Sequence, residues 1–330
     1  MKQCPEKPIR WGIIGCGNVT EVKSGPAYQM AEGFELVAVM RRDEAKARDY
    51  AKRHGVARYY TDADQLIADP EVDAVYIATP PDSHKTYALK VAEAGKPCCI
   101  EKPLAPDYAD SALITAAFRK RSLPLFVAYY RRSLPRFRQV QSWLADGKIG
   151  EVRHVSWQLS KPANALDLSG QYNWRTDAAI APGGYFDDLA SHGLDLLMFL
   201  LGDISRAMGI CLNQQGLYSA GDAVTGCWQH ESGVTGCGSW HFGAAKREDR
   251  VEMIGSRGKL VFSVFDEAPV MLINDTGEQS RLIENPPHIQ QFHVAAMAAN
   301  LLGGEPHPST GETATRTAWV MSQILGQPNS

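Results

Sequence analysis

The stretch from Ile9 to Thr20 constrains the fold more than any other part of the chain. A short apolar run, Ile9-Arg10-Trp11-Gly12-Ile13-Ile14, leads straight into Gly15-Cys16-Gly17-Asn18-Val19-Thr20, and a second apolar run, Glu35–Met40, follows. Strand, glycine turn, helix and second strand at this spacing describe a parallel βαβ unit. The first glycine permits the tight turn, and the second lets the backbone approach a pyrophosphate. The amides of the following helix then face negative charge. Gly15, Gly17, Asn18 and Val19 are therefore candidate cofactor-binding residues. An ordinary glycine-rich turn has the same spelling; the flanking strands favour the dinucleotide reading. Thr20 stands where a third glycine would allow close helix–strand packing, so this packing is expected to loosen.

The end of the second strand bears on cofactor choice. An acid there would bond the adenine ribose, but the chain reads Met40-Arg41-Arg42-Asp43. Guanidinium groups pair bidentately with phosphate, so Arg41 and Arg42 favour NADP over NAD. The alternative leaves both arginines solvated and gives the ribose to Asp43. Further on, Val72–Ala78 reads as a buried strand ending in Thr79-Pro80-Pro81-Asp82-Ser83-His84. Ligands lie at the carboxyl ends of such strands, so Thr79, Pro80 and His84 should border the cofactor, unless His84 caps the helix 84–95. The strand 97–100 ends in Glu101-Lys102-Pro103. Proline holds Lys102 extended and out of a helix, where its ammonium suits a developing alkoxide or a carbonyl oxygen.

From Glu151 the pattern changes. Segments 151–160, 206–215, 222–231, 234–243, 247–255, 258–264 and 269–274 are strand-like, which argues for an antiparallel sheet in an α+β domain. Among them lies Gly183-Gly184-Tyr185-Phe186-Asp187-Asp188-Leu189-Ala190-Ser191-His192-Gly193-Leu194-Asp195. Asp188, His192 and Asp195 share one face of a helix that is otherwise broadly apolar. Such a stripe is costly to bury unless its members pair. The glycines would clear space beside His192 for a ligand. Trp174 and Arg175 border either a ligand or a packed loop. Trp157, Trp240 and His241 lie on strands, where core packing is favoured over stacking on a sugar ring. The division expected is 1–128 for nucleotide binding and 129–330 for substrate binding and oligomerisation.

Composition excludes several classes. A net charge of −3 over 330 residues argues against a dedicated nucleic-acid surface, leaving room only for a local basic patch. No apolar run approaches the roughly 18 residues of a membrane span, and the N-terminus lacks a signal-peptide core, so a cytoplasmic location is expected. The seven cysteines include no C-x-x-C pair and read as reduced structural thiols. The nine histidines are scattered, so no metal site is expected.

In this order, Gly15-Cys16-Gly17-Asn18, Ala78-Thr79-Pro80, Glu101-Lys102-Pro103, Trp174-Arg175, Gly183-Gly184 and Asp188 with His192 resemble the Gfo/Idh/MocA family over essentially the whole chain. That resemblance implies an N-terminal Rossmann domain, doubly wound and parallel, and a C-terminal α+β domain with a large, mostly antiparallel open sheet used for dimer or tetramer formation. It implies hydride transfer between NAD(P) and a carbinol or carbonyl carbon of a sugar, polyol or related cyclic substrate, with Lys102, Asp188 and His192 catalytic. Glu101, Lys102, Trp174 and Arg175 fall to the cofactor, and Lys102, Tyr130, Arg131, Asp188 and His192 to the substrate. The wording around Val19–Pro26 and Tyr129–Arg132 is similar to the anhydrofructose reductase and dihydrodiol dehydrogenase members. The alternative implied by the family is a catalytically silent dinucleotide sensor; the joint presence of Lys102, Asp188 and His192 argues against it.

Overall fold

In the computed structural model, which describes residues 7–327, the chain begins with alternating strands and helices. β1 (Ile9–Ile14) is followed by α1 (Asn18–Val22), α2 (Gly25–Met30), β2 (Phe34–Met40), α3 (Glu44–His54), β3 (Arg58–Tyr60), α4 (Ala63–Ala68) and β4 (Ala74–Ile77). Then come α5 (His84–Glu93), β5 (Cys98–Ile100), α6 (Tyr108–Lys120) and β6 (Leu125–Val127). The strands form one parallel sheet in the order β3-β2-β1-β4-β5-β6. The order reverses between β1 and β4, the point where such sheets open a crevice at their carboxyl ends.

Both faces of this sheet are covered, which is why its strands read as continuous apolar runs. One face buries Leu66, Val91, Ile114 and Phe118. The other buries Trp11, Tyr28, Phe34, Tyr50, Val294 and Met297.

The second half continues with α7 (Pro135–Ala145), β7 (Val152–Ser160), α8 (Ala165–Leu168), α9 (Tyr185–Leu201) and β8 (Ile204–Leu212). Next are β9 (Ala223–His230), β10 (Thr235–His241), β11 (Glu248–Gly255), β12 (Gly258–Phe262), β13 (Val270–Asn274) and β14 (Gly277–Arg281), before α10 (Gln291–Leu301) and α11 (Gly311–Ile324). The eight strands order as β14-β13-β12-β11-β7-β10-β9-β8. Only β7 and β10 pair in parallel; the other neighbours are antiparallel. The expected fold class, a Rossmann sheet followed by a mostly antiparallel one, is thus observed.

Two compact units result. One takes the described residues up to Ala105 with Ala109–Ser133 and Pro286–Thr315; the other takes Pro106–Tyr108, Leu134–Asn285 and the described residues from Arg316. The second unit centres on the inner face of its sheet. Trp157 and Trp240 are fully buried and meet edge to face at 5.4 Å. Trp240 meets Phe186 of α9 at 4.9 Å. Trp157 donates Nε1–H to Asp249 at 3.1 Å. Gly193 lets α9 sit against this ring, because a Cβ there would run into Trp157. Both tryptophans therefore belong to the core.

Candidate active site

The glycine turn follows β1 directly. Gly15 has φ +90°, and a Cβ on it would lie 2.7 Å from Thr79 Cγ2. At Gly17 a Cβ would meet nothing nearer than the Gly15 carbonyl at 3.8 Å, so its outer side is open. A cleft of about 340 Å³ lies there, lined by Gly15 to Gly17, Arg41 to Asp43, Lys46, Thr79 and Pro80 among others. This is a fit for a dinucleotide: a backbone cradle, space beside it, and cations at one end.

Thr20 does not loosen the packing. It is fully buried, its hydroxyl donates to the Gly17 carbonyl at 2.8 Å, and its own carbonyl accepts from Tyr50 at 2.9 Å. The close approach is made by Gly25 instead, where a Cβ would strike the Thr20 carbonyl and Tyr50 hydroxyl. The segment is broken there into α1 and α2. Arg41 donates to the Cys16 carbonyl at 3.3 Å. Asp43 caps α3, accepting from Lys46 N at 3.1 Å, and pairs with the Lys46 ammonium at 3.3 Å. The carboxylate is thus already engaged by the helix it starts.

His84 proves to be fully enclosed. Its Nε2 lies 2.8 Å from the Thr79 carbonyl, and its Nδ1 lies 3.0 Å from the Pro103 carbonyl. The ring ties the end of β4 to the backbone just after Lys102. Glu101 is also buried. It accepts from Tyr76 at 2.6 Å, from Gln290 at 2.7 Å, and from the Lys102 backbone N–H at 3.2 Å. Lys102 itself stays partly exposed, on the loop beyond β5. Tyr130 and Arg131 open a 3-10 turn; Arg131 is buried, with its guanidinium 5.0 Å over the Tyr130 ring.

In the second unit, α9 carries the acid and imidazole. His192 is 4% exposed and meets Phe265 edge-on at 5.9 Å. Asp188 accepts from Arg175 Nε at 2.8 Å, and Arg175 stacks over Trp174 at 4.3 Å. Asp195 is fully buried and accepts from Thr317 at 3.2 Å. Gly183 and Gly184 clear no space for a ligand. A Cβ on Gly184, at φ +64°, would strike the Gly221 carbonyl, and one on Gly183 would press on Asp187 and Leu325. His241 ends β10 at intermediate burial.

Sequence reasoning missed two groups here. Lys161 follows β7, and its ammonium sits 3.9 Å over the ring of Tyr185. Burial lowers its pKa against the pull of Asp167 and Asp188. Tyr185 is fixed beneath it, donating to Asp167 at 2.6 Å and accepting from Asn164 and Asn173. The signal was present: Lys161-Pro162 repeats the Lys-Pro of Lys102-Pro103 at a strand end.

Asp187 is the other. The residue as a whole keeps some exposure, but its carboxyl is packed in and accepts from Gly183 N at 2.9 Å. Burial pushes its pKa up to about 7. An acid with a raised folded-state pKa keeps one extra proton in the folded state between its unfolded and folded values. Stability then falls as pH rises through that window, by at most about 1.4 kcal/mol per pH unit. Asp187→Asn removes this slope. Urea unfolding of both proteins from pH 4 to pH 7 should show the variant gaining on the wild type as pH rises; parallel curves would place the carboxyl in solvent.

Comparison with known proteins agrees with this architecture. Residues 9–129 match the model for an oxidoreductase family with an NAD-binding Rossmann fold. Residues 137–261 match a GFO/IDH/MocA C-terminal domain. Oxidoreductase P35 of Formosa agariphila is 37% identical over 97% of this chain and 99% of its own. The 1,5-anhydro-D-fructose reductase of Ensifer adhaerens is 29% identical over 96% and 97%. A levoglucosan dehydrogenase solved with NADH and levoglucosan has the same fold, with a TM-score of 0.85 over 96% of each chain at 21% identity. Among the described residues no helix is long and apolar enough to cross a membrane.

Proposed function

The chain belongs to the GFO/IDH/MocA family of oxidoreductases with an NAD-binding Rossmann fold, and from that premise we propose that it moves a hydride between a nicotinamide cofactor and a carbinol or carbonyl carbon of a sugar, polyol or related cyclic substrate. The observation that carries this reading is the set of groups at the carboxyl ends of the parallel strands. The open cradle of Gly15 to Gly17, the Thr79-Pro80 turn and Lys102 all lie there. The second unit adds a buried histidine one helical turn after an acid.

The cofactor supplies or accepts the hydride; Gly15, Gly17, Asn18, Val19, Thr79 and Pro80 would hold it. Lys102 donates to the reacting oxygen and stabilises negative charge as it develops there. His192 takes the hydroxyl proton in oxidation and returns it in reduction, the two directions of general acid–base work that an imidazole can serve. His192 is the eighth residue of α9, beyond the first turn where the helix dipole acts strongly. Asp188 orients it, and Arg175 fixes Asp188. Lys161 offers its ammonium to substrate hydroxyls on the same side of the second unit.

The preference for NADP is part of this proposal. Arg41, Arg42 and Lys46 line one cleft, and the nearby acid is engaged in capping α3. A hydrogen bond to a charged group is worth about 1.5–3 kcal/mol. Arg42→Ala should therefore weaken NADPH binding by about 10–100-fold and leave NADH nearly unchanged. Fluorescence titration with both cofactors checks this. Equal losses for the two, or tighter NADH binding by the wild type, would overturn the preference.

Self-association through the open face of the second sheet belongs to the same reading. Its support is the row of Met208, Ile210 and Leu212, exposed by 66%, 65% and 52% on the edge strand β8.

A further inference from the structure

The open face of the second sheet carries a cysteine pair that the catalytic reading does not use. Cys227 on β9 and Cys237 on β10 are direct partners across an antiparallel ladder. Both are free and exposed. Directly opposed residues in such a ladder hold their Cβ atoms about 4.5–5.5 Å apart, and a disulfide spans about 3.5–4.5 Å. A bond between them therefore needs only a small local closure of two strands already paired. The remaining described cysteines are placed otherwise: Cys16, Cys98 and Cys99 are buried, and Cys211 is partly buried.

A third group adjoins the pair. His154 on β7 has its Nε2 3.6 Å from Cys237 Sγ. Its Nδ1 lies 3.0 Å from Thr235 Oγ1, and that hydroxyl donates to the Arg153 carbonyl at 3.5 Å. The hydroxyl oxygen therefore accepts from Nδ1–H, and Nε2 presents its lone pair to the thiol. Histidine, nucleophilic thiol and second thiol thus lie in a row across three neighbouring strands, in the arrangement that thiol–disulfide exchange requires.

We propose that Cys237 and Cys227 form a redox dithiol that reduces low-molecular-weight disulfides of the glutathione type and closes to an intrachain bond. His154 takes the Cys237 proton. The Cys237 thiolate attacks one sulfur of the small disulfide; its S–S bond breaks and the first small thiol leaves. The Cys227 thiol loses its proton to solvent and attacks Cys237 Sγ, displacing the second small thiol. One S–S bond is consumed and one is formed. The two electrons given up by the protein thiols reduce the small disulfide to two thiols, which take up the two protons. Burial and the neighbouring Cys227 raise the Cys237 pKa, so the reaction is expected to quicken in mildly alkaline buffer.

The test uses the full chain, reduced, desalted and mixed with oxidised glutathione over a series of protein concentrations, since self-association would cover this face. Glu231 lies between the two cysteines, so cleavage after glutamate separates them unless they are joined. The expected result is a cross-linked pair containing Cys227 and Cys237 from a chain of single-chain size on a denaturing, non-reducing gel. Cys227→Ser should instead accumulate a stable glutathione adduct on Cys237, and His154→Gln should slow thiol loss several-fold with the same product. A glutathione adduct persisting on wild-type Cys237, a bond between two chains, or both thiols remaining reduced at every concentration would overturn the proposal. An unchanged rate in His154→Gln would remove the histidine from it.

Discussion

Lys102→Ala and His192→Ala should each lower turnover by orders of magnitude while NADPH binding stays close to that of the wild type. The expected loss for Lys102 is about 10²–10³-fold, the usual effect of deleting one donor to a developing oxyanion. In the proposed reaction its ammonium would act where charge appears in the transition state, while the cradle at Gly15 to Gly17 would hold the cofactor without it. For His192 the expected loss is about 10²–10⁴-fold, the range for a positioned acid or base. Steady-state rates and cofactor titrations on the same preparations check both. A variant that kept near-normal turnover would lose its assigned role, and one that lost cofactor binding in parallel would have been damaged elsewhere.

The second large effect is on stability. Trp157→Ala should cost about 3–5 kcal/mol, the range for removing a large aromatic side chain from a core. Three features set it at this level. The ring is 1% exposed. It packs edge-on to Trp240 and stacks with Phe265 at 6.5 Å. It also donates to Asp249, whose carboxylate accepts from the Phe265 and Asp266 amides as well. Trp157→Phe keeps part of the ring and loses this bond to a carboxylate, so about 1.5–3 kcal/mol is expected. Urea unfolding read by fluorescence should rank wild type, Phe and Ala in that order. An alanine variant within about 0.5 kcal/mol of wild type behaves as a surface substitution and would take Trp157 out of the core.

Much of this molecule could be read from the chain, for identifiable reasons. β1 and its glycine turn stand together in sequence, so their geometry is local. The runs that became β4, β5 and β6 are apolar throughout because both faces of their sheet are covered. β14 was not legible: its five residues, Gly-Glu-Gln-Ser-Arg, are all exposed and carry no apolar period, and the strand forms by pairing along the edge of β13. α8 is four residues long and rests on a capping box between Asn164 and Asp167, too short to show periodicity.

Within the site, spacing found Asp188 and His192 because both lie on one helix. It could not find what distant parts of the chain do to them. The carbonyl that fills the space beside Gly184 comes from Gly221. The partners of His84 come from Pro103 and Leu104. Gln290 reaches Glu101 from 189 residues away. Asp187, beside the acid that was singled out, is set apart chiefly by burial, with the Asp188 charge adding to it.

The central claim is hydride transfer by this chain, and one measurement meets it directly. NADPH and NADH carrying deuterium at the transferring C4 position are incubated with the enzyme and a panel of sugars, ketoses and cyclic polyols, and the products are analysed by mass and NMR. Hydride transfer predicts oxidation of the cofactor with deuterium on the new carbinol carbon of at least one substrate, formed more slowly by orders of magnitude in Lys102→Ala and in His192→Ala. Tight cofactor binding with no deuterium in any product across the panel would contradict the claim and identify a protein that senses the dinucleotide instead.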